Sequence, residues 1–321
     1  MITSQQPSIP VRVTGIDQVT PSVKTFTLEH TEGIPLPCFS GGSHVVVTMK
    51  DAQGQVCHRN PYSLTSPPDD GRCYRISVRR DDAGRGGSLF MHERVGEGDF
   101  LDISAPVNLF PLNVLARRHV LIASGIGITP FLAQMHELRQ RGVPYELHYQ
   151  FRDDDGAPYR DAIAAREPTA SFYESDQGEY LDPLAILRDQ PLGTHVYVCG
   201  PAGLINDVSA AATKLGWPPR HVHSEAFTAP PVGEPFTVVC HRSEREIEVP
   251  GTASVLEALE GAGLEPACSC RGGACGECET RVLEGDIEHH DHFLSDDVKA
   301  ANSRMMICVS RARTSRVVLD L

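Results

Sequence analysis

The sequence predicts a multidomain chain of mixed class: an all-β antiparallel module, then a parallel α/β module, then a small C-terminal one. Three observations carry that reading. Brief β-branched and aromatic runs separated by turn residues fill the first hundred or so positions. From about residue 115 strand patterns alternate with helix patterns. A last composition shift falls at Thr228-Ala229-Pro230-Pro231-Val232-Gly233-Glu234-Pro235, a semi-rigid spacer and natural domain boundary. The expected divisions are residues 1–113, 114–227, a linker at 228–235, and 236–321.

In the first module, Val23 to Glu29, His44 to Met49 and Cys73 to Arg79 read as strands; Tyr74, Ile76 and Val78 alternate strictly, and Gly41-Gly42 and Pro67-Pro68 punctuate the runs. That texture is an antiparallel barrel. In the second, His119 to Ala123 is a short apolar strand, Pro130 to Arg141 a helix, and Tyr145, Leu147, Tyr149 and Phe151 alternate as a strand. His195 to Cys199 and Pro201 to Leu215 repeat the order, which implies a parallel sheet with crossover helices. Beyond the Pro-rich stretch, Phe236 to Cys240 and Glu246 to Val249 form a hairpin, Ser254 to Gly261 a short helix, and Arg316 to Leu319 a closing strand.

Composition bounds the function. The chain of 321 residues is 40% hydrophobic and 22% charged, an ordinary globular balance. A formal charge of −13 argues against nucleic-acid binding, because phosphate contacts need clustered Lys and Arg. No run approaches the about 18 apolar residues that a membrane span requires, and no N-terminal stretch resembles a secretory signal, so a soluble, cytoplasmic, monomeric protein is expected.

Cys270, Cys275, Cys278 and Cys308 follow C-x4-C-x2-C and then a lone cysteine, the ligand spacing of a plant-type [2Fe-2S] cluster. Gly272, Gly273 and Gly276 let the loop fold tightly and turn N–H groups toward sulfur. A zinc ribbon would want two close C-x2-C pairs, and only Cys275 with Cys278 qualifies. Ten cysteines in 321 residues without a leader do not make a disulfide framework. Cys268 spoils the spacing and reads as a bystander, while Cys38, Cys57, Cys73, Cys199 and Cys240 read as reduced, buried small hydrophobes, with Cys199 a candidate exception.

The α/β module offers a nucleotide site. Ser124-Gly125-Ile126-Gly127-Ile128-Thr129-Pro130 follows a strand, with glycines that admit a pyrophosphate and Pro130 in the first helical turn. A purely structural turn is the competing reading. Cys199-Gly200-Pro201, a second sharp turn after a parallel strand, favours a dinucleotide. Arg152 ends a strand and could hold a 2′-phosphate, but Asp153, Asp154 and Asp155 would repel one, so NADH is favoured over NADPH; a solvated acidic turn without a role in selection is the alternative. In the barrel, Arg59-Asn60-Pro61-Tyr62-Ser63-Leu64 and Gly86-Gly87-Ser88 supply an aromatic wall, hydroxyls, a cation and backbone donors, as a flavin needs; by itself the second segment is a helix N-terminus.

Taken together these residues resemble the phthalate dioxygenase reductases, iron-sulfur flavoproteins that serve Rieske-type oxygenases. The resemblance covers nearly the full length and rests on Tyr62-Ser63-Leu64, Arg85-Gly86-Gly87-Ser88, Asn108-Leu109-Phe110-Pro111-Leu112, Gly125 to Pro130, Cys199-Gly200-Pro201, and the ending from Cys270 to Leu321 with Met305-Met306-Ile307-Cys308-Val309-Ser310-Arg311. It implies an antiparallel flavin-binding β-barrel, a parallel α/β NAD-binding domain and a C-terminal β-grasp [2Fe-2S] ferredoxin domain. It implies FMN, with Arg59, Gly86, Gly87 and Ser88 at its phosphate, Tyr62, Ser63 and Leu64 along its ring, and Ser77 and Val78 among the cofactor-binding positions. The nucleotide falls to Gly125, Gly127, Thr129, Pro130, Arg152, Cys199, Gly200 and Pro201. Two residues, Asn60 and Pro61, separate Arg59 from Tyr62 where the family has one; a subgroup that feeds oxygenases of quaternary amines such as carnitine is similar in this longer spacing.

The implied activity passes hydride from NADH to flavin and then single electrons through the cluster to a terminal Rieske-type oxygenase. Ser63 near flavin N5, Cys199 beside the nicotinamide and Glu225 at the end of the NAD domain are the catalytic candidates, and Phe227 closes over the flavin or serves as an interdomain core aromatic. A stand-alone reductase of small molecules and a non-enzymatic iron-sulfur sensor are the rival classes. His289, His290, Asp291 and His292 invite a metal, but adjacent histidines diverge on regular backbone, so a solvated or partner-facing loop is expected.

Overall fold

The structure is a computed structural model, and it describes residues 8–167, 169–227 and 232–321. These form two compact units, Ile9–Phe227 and the C-terminal region. Thr228 to Pro231, the start of the expected linker, lie outside the described residues.

In the first unit, Ile9–Thr20 (β1), Val23–His30 (β2), Ser43–Lys50 (β3), Val56–Ser63 (β4) and Tyr74–Arg79 (β5) precede a helix, Gly87–Arg94 (α1), and the strands Phe100–Ile103 (β6) and Val107–Asn108 (β7). They make one antiparallel sheet of order β4-β3-β6-β1-β2-β5, with β7 on β3. An antiparallel bridge between Leu64 and Ile76 joins the end of β4 to β5, so the two outer strands meet and the sheet curls toward a barrel. Tyr74, Ile76 and Val78 point into its core between the exposed Arg75 and Arg79. Pro61 is tolerated inside β4 because that strand ladders with β3 alone.

Arg118–Ser124 (β8), Thr129–Arg141 (α2), Tyr145–Phe151 (β9), Arg160–Ala164 (α3), Ser171–Glu174 (β10), Pro183–Arg188 (α4), Thr194–Cys199 (β11), Ala202–Lys214 (α5) and Val222–Glu225 (β12) follow. The five strands are parallel, in the order β10-β9-β8-β11-β12. That order reverses between β8 and β11, and open α/β sheets bind ligands beyond the carboxyl ends of their strands at such a switch. Burial explains the apolar runs: β11 is covered along its whole length, and so are His119 to Ala123 of β8. The barrel is stitched to this sheet by side chains. Tyr159, in a left-handed conformation, hydrogen-bonds Thr25 and, at 2.5 Å, Ser77; Ser22 N–H donates to Asp155 at 2.9 Å; buried Gln134 on α2 donates to the Phe110 carbonyl at 2.7 Å.

The second unit holds Phe236–Cys240 (β13), Arg245–Val249 (β14), Val255–Gly261 (α6), Glu279–Glu284 (β15), Ile287–Glu288 (β16), Asp296–Ala300 (α7), Arg304–Met306 (β17), Arg311–Ala312 (β18) and Arg316–Leu319 (β19). A mixed sheet of order β14-β13-β19-β15-β17 packs on α6, whose Val255, Leu256 and Leu259 are buried with Val238, Val249, Met305 and Val317. A capping box starts α6: Ser254 Oγ accepts from Glu257 N–H and the Glu257 carboxylate accepts from Ser254 N–H.

One expectation, that the scattered cysteines are buried, needs correction. Cys38 and Cys57 are exposed and Cys73 half-buried, because Cys38 lies in a loop and Cys57 on the outward side of an edge strand; only Cys199 and Cys240 of that set are buried. All ten thiols are free. No helix among the described residues is long and apolar enough to cross a membrane.

Candidate cofactor sites

At the switch point the two glycine turns touch. β8 ends at Ser124, and Gly125–Ile128 form a 3-10 turn before α2 begins, instead of the expected loop running straight into the helix. Gly125 takes φ +52. A Cβ on Gly127 would lie 2.7 Å from the Cys199 carbonyl carbon and 3.0 Å from Gly200 N, and one on Gly200 would lie 2.9 Å from Ser124 Cβ. Only glycines let these backbones meet. Gly125, Gly127, Cys199, Gly200 and Pro201 are therefore one surface at the carboxyl edge of the sheet. Thr129 and Pro130 are buried beneath it, and the Thr129 hydroxyl donates to Ile126 O at 3.0 Å, so they shape the turn.

Two concavities flank that surface. One of about 150 Å³ lies between Val23 and Arg79 of the barrel and Gly125, Ile126, Arg152 and Asp155. The other, about 390 Å³, is lined by Gln150, Tyr180, Pro183, Pro201, Leu204 and Asp207. Tyr180, Leu204 and Asp207 carry no motif, and sequence reasoning passed over them. Each member of the acidic run has its own partner: Asp153 accepts from Gly156 N–H at 2.9 Å, Asp154 pairs with Arg160, and Asp155 accepts from Ser22 N–H. Arg152 has a largely exposed side chain 3.5 Å from Asp176, whose N–H also donates to the Arg152 carbonyl at 3.1 Å.

Parallel register sets Cys199 of β11 opposite Glu225 of β12. Cys199 is fully buried, and burial with the neighbouring Glu225 pushes its thiol well above the ordinary range. Burial also raises the Glu225 carboxyl to about 8, and its Oε2 is sealed with no hydrogen-bond partner among the described residues. The surroundings thus favour the neutral form of both groups. Phe227, two residues on, is 48% exposed, so it is an uncovered aromatic and not a core side chain.

In the barrel, α1 lays its first turn on β4. A Cβ on Gly87 would meet Asn60 Nδ2 at 2.5 Å, and one on Gly86, at φ +90, would meet the His58 ring at 3.1 Å. The positive end of the helix dipole, Gly86, Gly87 and Arg85 therefore sit alongside the strand that carries Arg59, an arrangement suited to a phosphate. Ser88 Oγ is occupied by Asp81 N–H at 3.1 Å, and Ser77 Oγ by Thr25 and Tyr159, so both serines are held by protein partners. The Val78 carbonyl contacts His92 Nε2 at 2.8 Å. Leu64 is core, Tyr62 is half-buried with its phenol pushed up by burial, and Ser63 is buried opposite His44 of β3. Burial drops His44 to about 4, and its Nε2 lacks a partner among the described residues.

The four motif cysteines come together in two pairs. Cys278 and Cys308 place their sulfurs 3.1 Å apart, and the Cys270 and Cys275 thiols hydrogen-bond one another. That shared bond, with N–H groups of Gly272, Ala274 and Cys275, holds Cys270 low and pushes Cys275 up. Left-handed backbone at Arg271, Gly273 and Gly276 (φ 54, 72 and 82) turns the loop, and a Cβ on Gly276 would strike the Phe293 ring at 2.6 Å. Two thiolate pairs fit two irons, each taking two protein sulfurs. Cys268 contacts the Cys278 sulfur and belongs to neither pair.

In the His289–His292 segment, expected as a solvated or partner-facing loop, His292 is exposed and His289 and His290 are half-buried, while the acidic residue between them turns inward. Asp291 is buried, accepting from Leu294 N–H at 2.8 Å and Ser310 Oγ at 3.3 Å, and the His289 side chain is nearly covered beside it. The carboxylate ties this segment down next to Gly273, whose backbone approaches Asp291.

Comparison with known proteins agrees with this geometry. Residues 238–313 match the family model "2Fe-2S iron-sulfur cluster binding domain", and residues 107–222 match "Dimethylamine monooxygenase subunit DmmA-like, N-terminal domain". The chain is 45% identical to the carnitine monooxygenase reductase subunit of Acinetobacter baumannii over 97% of its length and 98% of the relative's. It is 46% identical to the heme-dependent oxidative N-demethylase beta subunit of Ectopseudomonas mendocina, again over 97% and 98%. The solved structure of phthalate dioxygenase reductase, described as modular for electron transfer from pyridine nucleotides to [2Fe-2S], superposes over all of both chains with a TM-score of 0.85 at 32% identity. With the barrel, the switched parallel sheet and the paired cysteines in one polypeptide, the chain belongs to the phthalate dioxygenase reductase family of electron-transferring oxygenase reductases.

Proposed function

We propose that this chain is the NADH-dependent, FMN-containing electron donor to an oxygenase that attacks an N-methylated amine. The single observation that carries the redox reading is the contact between the Gly127 and Gly200 turns at the sheet's switch point, in a chain that also pairs four cysteines. The amine preference is supported by the carnitine, dimethylamine and N-demethylase relatives and by the extra residue between Arg59 and Tyr62.

Bound in such sites, flavin accepts hydride from reduced nicotinamide and a [2Fe-2S] cluster relays electrons singly. The protein's part is to bind and orient. Arg59 and the start of α1 at Gly86 and Gly87 hold the FMN phosphate, and Tyr62, Ser63 and the main chain of Ser77 and Val78 line its ring. Gly125, Gly127, Gly200 and Pro201 receive the dinucleotide's pyrophosphate, while the larger cleft by Tyr180 and Asp207 takes the adenosine end. Arg152, engaged by Asp176, is a poor clamp for a 2′-phosphate, which favours NADH. Cys199 and Glu225, whose surroundings favour their neutral forms, give the carboxyl end of β11 a weakly charged wall for a nicotinamide.

Reconstitution tests the partner. The purified chain with NADH and a carnitine-type oxygenase should support demethylation or hydroxylation at least tenfold faster than with a phthalate-type oxygenase. Equal rates, or a preference for the aromatic-acid enzyme, would remove the amine reading.

A further inference from the structure

Arg271 stands between the ligand Cys270 and Gly272, in a left-handed conformation (φ 54) that a side-chain-bearing residue adopts at a cost of roughly 1 kcal/mol or more. Its guanidinium is turned inward. It makes a fork-to-fork pair with Glu260 of α6, at 2.7 and 2.8 Å, with side-chain exposures of 9% and 19%. α6 is a firm base for that grip, because its first turn is closed by the Ser254–Glu257 box and its apolar face is buried. The anchored arginine leads directly into Gly272, whose N–H lies 3.4 Å from Cys270 Sγ.

We propose that the buried Arg271–Glu260 pair is a positioning device for the iron-sulfur cluster, fixing the first ligand and its N–H donors and setting the cluster's reduction potential through the balance of its two charges. A cluster that takes up an electron gains one negative charge. A guanidinium carried by the residue next to the first ligand, and already felt by the Cys268 thiol, favours that, and a carboxylate bound to the guanidinium offsets it, more strongly here than in water because both are covered. Fork geometry fixes direction as well as distance, which a single-point ammonium cannot do. A buried pair of this kind is weak evidence for stability by itself, since desolvation opposes the Coulomb gain, so a role in specifying one loop geometry is the better account. The inference rests on the cluster occupying the four paired cysteines.

The test is a mediated, anaerobic spectroelectrochemical titration of the full chain, with chelator-driven cluster loss followed by absorbance. Glu260→Gln, which leaves the arginine charge unbalanced, should raise the one-electron reduction equilibrium by about threefold to tenfold, some 30–60 mV at 59 mV per tenfold. Arg271→Gln should lower it by a similar factor and release the cluster several times faster. The double variant should return to within about threefold of wild type in potential while still losing cluster quickly, and Arg271→Lys should keep the potential but not the retention. A merely structural pair would not move the two single variants in opposite directions, and shifts of the same sign, or none, overturn the proposal. If Arg271→Gln holds no cluster, the direction of the Glu260→Gln shift decides. A wild-type chain with no [2Fe-2S] absorbance would instead sink the cluster reading on which this rests.

Discussion

Glu225 is the residue whose chemistry is set most plainly by its surroundings. An unfolded Glu titrates near 4.5, whereas burial raises the folded group to about 8. Between those values the folded chain holds a proton that the unfolded chain has lost, so stability from this group is intact below about 4.5 and falls as pH rises to about 8. Glu225→Gln should therefore be more stable than wild type by on the order of 2–4 kcal/mol at pH 9, with little advantage at pH 5, in urea titrations of the cofactor-free chain. A difference that does not grow with pH would contradict the burial. Some of this scale was legible in the sequence and some was not. The spacing of Cys270, Cys275, Cys278 and Cys308 was legible as a ligand pattern because four ligands on one compact cluster leave few chain geometries, and the fold draws those four side chains into two pairs. Asp153, Asp154 and Asp155 looked like one repulsive patch, yet each has its own partner, the last of them Ser22 of the barrel, which one-dimensional charge cannot show.

At the scale of elements, β8, β11 and β12 carry a feature that no motif suggested. His119 and His195 are neighbours in register, Tyr197 lies opposite His223, and His221 comes from the turn before β12. The rings stack, with centroids 4.1 Å apart for His195 and His221 and 4.3 Å for Tyr197 and His223, and His195 Nδ1 lies 2.9 Å from His223 Nε2. Burial, together with the neighbouring imidazoles and the arginines 141 and 220, holds His119 and His195 down to about 4, against 6.5 ordinarily. Unfolded histidines take protons below 6.5 while these do not until about 4, so stability is full above 6.5 and is lost as pH falls through that window. His119→Leu should recover about 2 kcal/mol at pH 5 and change little at pH 8, read by thermal unfolding at both. An equal effect at the two pH values would mean that packing, not protonation, dominates. Strand and helix positions, by contrast, were readable: the runs at 23–29, 44–49, 145–151 and 236–240 fall within strands because alternation is imposed by burial on one face. The order β10-β9-β8-β11-β12, the small strand β10 and the Tyr159 stitch to Thr25 and Ser77 depend on long-range pairing, which periodicity does not encode.

The whole molecule joins two kinds of carrier in one chain. Residues Ile9–Phe227 hold the barrel and the parallel sheet as one compact unit, and the C-terminal unit holds the paired cysteines. A donor of electron pairs and an acceptor of single electrons need an intermediary able to do both, and the α1–β4 cradle at Gly86, Gly87 and Arg59 is the place we propose for it. The most direct measurement is an anaerobic absorbance titration of the purified full chain with NADH, alongside iron, sulfide and flavin analysis. The account predicts one FMN and two irons per chain, with flavin and [2Fe-2S] bands bleaching together in the absence of any partner protein. Iron without flavin, or flavin bands that bleach while the iron-sulfur bands persist, would contradict it.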